Sequence, residues 1–368
     1  MMPPGAIPSE ALRPEAAQPR KPRGNQVKTI RARAPLRLGL AGGGTDVSPY
    51  CDVHDGCVLN ATIDRYAYAV IQPLEESAVR FVASDKQDKE SWGLVPHIAL
   101  NGGLDLHKAV YNHFVANYNG GQPIAIQLST FCDAPVGSGL GSSSTLVVAM
   151  IEAFVELLNL PLDDYMVAHL AYKIERVDCG LQGGRQDQYS ATFGGFNFME
   201  FYADERALVN PLRIRSSIIC ELEASLVLFF TGVSRESAKI IADQSGNLKS
   251  GATDALEAMH GIKREALAMK DCLLRGDFTG LVESMRLGWE NKKRSAKTVS
   301  NAHIDEIYEA ATAAGALAGK VSGAGGGGFM LFFVPNEQRM DVIRALDRFN
   351  GQISNCHFTK NGAQAWRI

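Results

Sequence analysis

The stretch Asp133-Ala134-Pro135-Val136-Gly137-Ser138-Gly139-Leu140-Gly141-Ser142-Ser143-Ser144-Thr145 runs straight into an apolar segment that ends near Asn159. Glycines at 137, 139 and 141 put no side chains in the way, so the backbone can curl and its N–H groups can converge on one point. The helix predicted behind this loop, about Ser144 to Asn159, leaves its first N–H groups without internal partners and presents a positive dipole end. An anion, and a polyphosphate in particular, is the natural occupant. The dipole alone is worth only about 0.3–1 kcal/mol per charge, so binding also needs the N–H cradle and a metal. Ser142, Ser143, Ser144 and Thr145 supply hydroxyls of the kind that complete a Mg²⁺ shell.

Two other phosphate loops are excluded. A Walker A loop ends Gly-Lys-Ser/Thr, and no lysine stands in this stretch. A dinucleotide fingerprint needs a following strand and an acid about 20 residues on, whereas Asp163 and Asp164 follow a long helix and Pro161. A merely flexible turn is the plainer reading, but such a turn seldom opens a wholly buried helix.

The rest of the chain supplies partners for that loop. Residues 1–26 hold six prolines and no apolar core, which is neither a signal peptide nor a foldable segment; a disordered extension is expected. Strands are predicted from Val27, at Cys57–Ile63, Tyr66–Ile71 and Ile124–Ser129, with a helix at Asp105–Tyr118. Asp163 or Asp164 caps a helix that buries Val167, Leu170, Ala171 and Ile174. Near Pro211 the character changes. A strand at Ser225–Phe230 precedes helices at about Ser237–Leu248, Asp254–Arg275, Phe278–Lys293 and Ile304–Ala314. A helix at Glu337–Phe349 and a strand at Cys356–Thr359 close the chain. Two folded units follow, 27–212 and 213–368.

Three further stretches carry chemistry. Gly42-Gly43-Gly44-Thr45-Asp46 puts a backbone edge and a carboxylate beside a polar ligand; Asp46 suits hydroxyl groups and Arg37 a phosphate or carboxylate. A glycine turn in which Asp46 caps a local helix is the competing reading. Glu175, on the last turn of a helix, and Asp187, beyond a glycine loop, form a plausible metal ligand and general base, though two such acids can equally be solvated surface. Gly323 to Gly328, beside an apolar run, would cost stability unless a ligand or another backbone approaches closely. The basic run Lys292 to Lys297 reads either as a solvated helix end or as a site for a phosphate on the substrate.

Composition narrows the partners. A net charge of −3 gives no basic face for nucleic acid, and no apolar run reaches the ~18–20 residues of a membrane span. Seven scattered cysteines without Cys-x-x-Cys spacing read as reduced thiols of a cytoplasmic protein.

Pro35–Asp46, Pro135–Thr145 and Lys320–Gly328, in that order, resemble the three motifs of the GHMP superfamily of small-molecule kinases. Gly-Gly-Gly-Thr-Asp at 42–46, Gly-Gly-Arg-Gln-Asp-Gln-Tyr at 183–189 and Thr-Gly-Val-Ser-Arg at 231–235 resemble its sugar-1-kinase branch. The resemblance implies an α+β protein with a ribosomal protein S5 domain 2-like N-terminal domain, a ferredoxin-like C-terminal domain and the site between them. It implies ATP and Mg²⁺ as cofactors, with Pro135, Gly137, Ser138, Gly139, Leu140, Gly141, Ser142, Ser143 and Ser144 at the nucleotide. Ser143 and Glu175 would hold the metal. Asp187 would be the base, with Arg37 or Arg185 as its supporting cation. Gly43, Gly44, Thr45, Asp46, Arg235, Gly323, Gly325 and Gly326 would meet the substrate. The implied reaction moves the γ-phosphate to the anomeric hydroxyl of a sugar phosphate, a heptose 7-phosphate giving the 1,7-bisphosphate. A kinase of a neutral sugar (fucose or galactose) is the alternative within the branch, and a non-catalytic ATP-binding regulator the alternative outside it. A homodimer is left open.

Overall fold

Alternation along the first strand decides which residues meet across the molecule. The structure is a computed structural model that describes residues 28–135, 137–233, 237–250 and 252–368. The N-terminal part runs β1 (Ile30–Ala41), α1 (Tyr50–His54), β2 (Gly56–Pro73), β3 (Ala78–Ala83), β4 (Asp88–Gly93), α2 (Asp105–Tyr118) and β5 (Ile126–Cys132). It continues through α3 (Ser142–Leu158), α4 (Asp164–Lys173), a π-helical turn at Ile174–Asp178, α5 (Gln186–Phe193), β6 (Phe196–Phe201) and β7 (Ala207–Pro211). The C-terminal part runs α6 (Ser216–Ser225), β8 (Leu226–Phe230), α7 (Ser237–Lys249), α8 (Thr253–Arg275), α9 (Phe278–Ser295), α10 (Ala302–Ala313), β9 (Ala318–Val321), β10 (Phe329–Phe333), α11 (Arg339–Leu346), β11 (Gln352–Ser354) and β12 (Gln364–Arg367).

Eight strands form the first sheet, in the order β12-β1-β2-β5-β3-β4 with β6 on β2 and β7 on β6. Every pair is antiparallel except β3 with β5. Helix α3 is apolar on nearly all sides because it is enclosed, with Val147, Val148, Met150, Ile151 and Phe154 fully buried against the sheet and α2. The second sheet is antiparallel in the order β11-β8-β10-β9. Its strands in chain order sit fourth, first, third, second, the ferredoxin-like split arrangement, with α7 to α10 inserted between the first two. The expected α+β class holds.

On β1, Leu36, Leu38 and Leu40 share a core with Leu226, Leu228, Phe329 and Leu331 of the second sheet. Period-two alternation turns Arg37 and Gly39 to the opposite face. A register shift between Pro35 and Arg37 kinks the pairing with β2 at that point, and such bulges re-aim side chains beside functional sites.

Several expected elements are corrected. The two strands predicted at Cys57–Ile63 and Tyr66–Ile71 are one strand, β2, because Asp64 and Arg65 stay in the strand at the register shift in its pairing with β1 rather than forming a turn. The predicted strand Cys356–Thr359 is a single bridge, Phe358 with Ile63. The chain then returns to the first sheet, where β12 pairs with β1, so a second unit running unbroken to Ile368 does not describe its last strand. The long helix expected at 337–349 is a 3₁₀ turn followed by the shorter α11. Helices α5 and α6 and the β3–β4 hairpin were not anticipated.

Candidate active site

Helix α3 begins without a side-chain cap, on Gly141 at φ 78°. A side chain at Gly141 would be strained in that left-handed conformation, and its Cβ would stand 3.1 Å from the Asp187 Cγ. The uncapped N-terminus opens on a cavity of about 560 Å³, to which Gly137, Gly139, Gly141, Ser142, Ser143 and Ser144 all contribute; ligand pockets fall in the range of about 300–1,000 Å³. Gly43, Gly44 and Asp46 from the first glycine stretch line the same space, as do Gly323 and Ala324 from the third.

The loops are locked to one another rather than merely adjacent. The Ser322 hydroxyl donates to the Gly139 carbonyl at 3.0 Å, and the Phe329 N–H donates to the Ser138 carbonyl at 2.8 Å. A Cβ at Gly139 would lie 2.3 Å from the Ser322 carbonyl oxygen. Close backbone approach between the second and third stretches therefore explains why each lacks side chains.

Asp187 lies in the first turn of α5, and Arg37 reaches it from β1. Arg37 Nε donates to Asp187 Oδ1 at 2.7 Å, Nη2 stands in ion-pair contact with the same oxygen at 2.6 Å, and Nη1 donates to the Gly139 carbonyl at 2.6 Å. One buried guanidinium thus ties the carboxylate to the phosphate loop and occupies Oδ1. Asp187 Oδ2 is left beside Gly141, where a Cβ would meet it at 3.2 Å.

Glu175 is carried inward by the π-helical turn, a distortion often found at functional sites. It is 2% exposed. Ser143 donates to its Oε1 at 2.7 Å, while Ser144 and Gln188 donate to Oε2, each at 2.6 Å. Arg176 Nη1 stands 3.3 Å from Oε1. No cluster of three or more His, Cys, Asp or Glu able to hold a metal exists among the described residues. The Ser143 hydroxyl and the Glu175 carboxylate are nevertheless adjacent hard-oxygen donors facing the cavity, the pair that suits Mg²⁺ when phosphates complete its shell.

The first glycine stretch is used differently from expectation. Asp46 lines the cavity, but it is 1% exposed, and its oxygens accept from the Gly44, Arg185 and Gln186 N–H groups and from Gln186 Nε2 at 3.0–3.2 Å. It anchors the start of α5 from a distant segment, and a sugar hydroxyl would have to displace one of those donors. Thr45 is corrected outright. Its hydroxyl bonds the Gly42 and Cys57 carbonyls and the Cys57 N–H, turned into the fold and fully buried.

Other expected contacts also lie elsewhere. Arg185 points away from Asp187 to Asp52 and the Tyr202 carbonyl, so Arg37 is the cation on that carboxylate. Pro135 is exposed, and Ser138 and Leu140 are buried behind the loop; none of the three lines the cavity. Gly325 packs on Val299, and Gly326 opens on a separate cavity beside Asn301. Arg235 lies outside the described residues. Of the basic run, Lys292 alone turns inward, donating to the Gly323 carbonyl at 2.5 Å and reaching Gly43 O at 3.4 Å. Burial pulls its pKa down to about 8, partly offset by Asp46 and Asp187. Arg176, Gln186 and Gln188 were missed, since a buried polar group is visible only through its tertiary partners.

Comparison with known proteins agrees with this geometry. Residues 105–195 match the family described as GHMP kinases N terminal domain, and residues 269–351 match GHMP kinases C terminal. The D-glycero-alpha-D-manno-heptose 7-phosphate kinase of Campylobacter jejuni is 47% identical over 342 residues, 93% of this chain and 100% of that one. A crystal structure of a D-glycero-D-manno-heptose 1-phosphate kinase from Bacteroides thetaiotaomicron superposes with a TM-score of 0.79 at 43% identity, over 92% of this chain and 99% of that one. A galactokinase from Lactococcus lactis, 18% identical over 91% of this chain and 95% of its own, shares the fold with a TM-score of 0.72.

Proposed function

From the premise that the chain belongs to the GHMP kinases, we propose that it moves the γ-phosphate of ATP to the anomeric hydroxyl of a heptose phosphate. The acceptor we favour is D-glycero-α-D-manno-heptose 7-phosphate, giving the 1,7-bisphosphate, in keeping with the name of the Campylobacter relative. The observation that carries the reading is a carboxylate, Asp187, fixed by Arg37 at the mouth of an uncapped, glycine-lined helix N-terminus.

Phosphoryl transfer asks little covalent work of a protein; positioning and charge neutralisation do most of it. The N–H groups at Gly139 to Ser144 cradle the phosphates. A bound Mg²⁺ would be held by Ser143 and Glu175 and would neutralise phosphate charge. Arg37 fixes Oδ1 of Asp187, and Oδ2 accepts the proton of the attacking hydroxyl. An anomeric hydroxyl is more acidic than an ordinary alcohol, so an ordinary carboxylate suffices as its base. Lys292 places a further positive charge between the first and third glycine stretches, where acceptor and phosphate meet.

The test is ATP-dependent phosphorylation of a panel of sugars and sugar phosphates, with the product position read by ³¹P NMR. Heptose 7-phosphate should be preferred at least tenfold in kcat/KM over unphosphorylated heptose, with the new phosphate on C1. Equal kcat/KM for the two would defeat the phosphate requirement, and a product phosphorylated elsewhere would defeat the anomeric assignment.

A further inference from the structure

Three glycines stand in a row at 42–44, and the fold itself needs only two of them. A Cβ on Gly42 would lie 2.0 Å from the Cys57 carbonyl oxygen, and Gly44 holds φ at 106°. Gly43 has neither reason. Its φ lies outside the left-handed region, and a Cβ there would meet its nearest neighbours at 3.5 and 3.6 Å, ordinary contact distances. The protein could carry a side chain at 43, yet the position is left empty and lines the cavity. Glycine serves in this way where a ligand comes close to the backbone.

The atoms that face the empty position say what it would take. Both are donors, Lys292 Nζ at 3.5 Å and Gln186 Nε2 at 3.6 Å. Three cations line the cavity among the described residues, Arg37, Arg176 and Lys292. Arg37 is paired with Asp187, and Arg176 with Glu175. Lys292 is 4% exposed and bonds the Gly323 and Gly43 carbonyls, and no carboxylate among the described residues stands within 4.0 Å of its Nζ. A buried ammonium without a counter-ion is costly, and this one has three protons to give. Its backbone is fixed, because the Ser295 hydroxyl donates to the Lys292 carbonyl at 2.7 Å and accepts from Gln244, another cavity residue, at 2.8 Å. An anion is the complement of such a place. The phosphate being transferred already has the N-terminus of α3, whereas this space belongs to the first glycine stretch. We propose that the space over Gly43 is the subsite for the phosphate that the acceptor already carries, with Lys292 as its counter-ion. The inference rests on the reading of the site as a sugar-phosphate kinase.

The test compares kcat/KM for heptose 7-phosphate and unphosphorylated heptose in wild type, Lys292→Met and Gly43→Ala. Lys292→Met should lose about 10–100-fold more on the phosphorylated acceptor than on the other, the loss expected for a charge-assisted hydrogen bond. The preference should then shrink to within threefold, with KM for ATP within threefold of wild type. Gly43→Ala, which keeps the ammonium but puts a methyl into the space, should shrink the same preference, and it carries the test alone if Lys292→Met does not fold. Equal losses on both acceptors, or a raised KM for ATP, would give Lys292 to the nucleotide or to the joining of the two loops and overturn the proposal. Variants that keep the wild-type preference overturn it too. Failure of the sugar-phosphate reading looks different: wild type then shows no preference for the 7-phosphate, and the inference falls with it before any variant enters.

Discussion

Arg37→Met removes the group that joins the base to the phosphate loop, and its cost can be worked from the contacts. The side chain is 4% exposed and makes one hydrogen bond and a further ion-pair contact to Asp187 Oδ1, and one hydrogen bond to the Gly139 carbonyl. Removing one partner of a buried pair costs roughly 3–5 kcal/mol. Two facts reduce that here. The Asp187 side chain is 20% exposed, so water can reach the orphaned carboxylate, and the Gly139 carbonyl keeps its bond from Ser322. About 2–3 kcal/mol of unfolding free energy should be lost, with methionine filling most of the vacated volume. Turnover should fall about 10²-fold, because a base displaced by about 1 Å costs that much. Urea unfolding and steady-state rates with saturating ATP measure both. Arg37→Lys should recover part of the stability but little of the rate, since an ammonium lacks the rigid fork that fixes Oδ1 and the Gly139 carbonyl together. A variant within 0.5 kcal/mol (roughly the effect of an ordinary surface change) and within threefold in kcat would refute the reasoning.

Three other perturbations separate the parts of the site. Gly139→Ala forces a Cβ to within 2.3 Å of a backbone oxygen at φ 79°, so it should raise KM for ATP about tenfold or more; an unchanged KM would mean that the two loops do not share the nucleotide. Glu175→Gln should raise the Mg²⁺ concentration needed for half-maximal rate about 10–100-fold, and an unchanged Mg²⁺ titration would remove Glu175 from the metal. Lys292 keeps its proton below about pH 8 and loses it above, so kcat/KM should fall on the alkaline side of that pH. Lys292→Arg, charged throughout, should move the fall upward, and a fall that stays in place belongs to another group. Stability runs the other way: the folded pKa of Lys292 lies below its ordinary 10.5, the unfolded chain binds more protons between those values, and this group makes stability rise with pH across the window.

Much of the scaffold can be read in the residues alone, for a physical reason. Helices α3, α8 and α9 bury long apolar stripes, and periodicity reports such stripes whatever packs on them. Asp163 caps α4 through a local bond to the Met166 N–H, and local bonds leave local patterns. The elements that escape detection are fixed from afar. Helix α5 has only eight residues, opens Gln-Asp-Gln, and takes its cap from Asp46 some 140 positions earlier. The choice between Arg37 and Arg185 depends on the bulge in β1 and on Asp52 drawing Arg185 away. Thr45 and Lys292 show the same limit in opposite directions, a motif residue turned into the fold and a helix-end cation turned into the cavity.

The account depends on Asp187 acting on an acceptor within the same cavity that holds the nucleotide. The direct measurement is single-turnover phosphorylation of heptose 7-phosphate by Asp187→Asn, paired with a calorimetric ATP titration of the same protein. The account predicts a rate lower by about 10²–10⁴, the usual range for loss of a general base, with ATP affinity within threefold of wild type. A variant that transfers phosphate at the wild-type rate while binding ATP normally would contradict it.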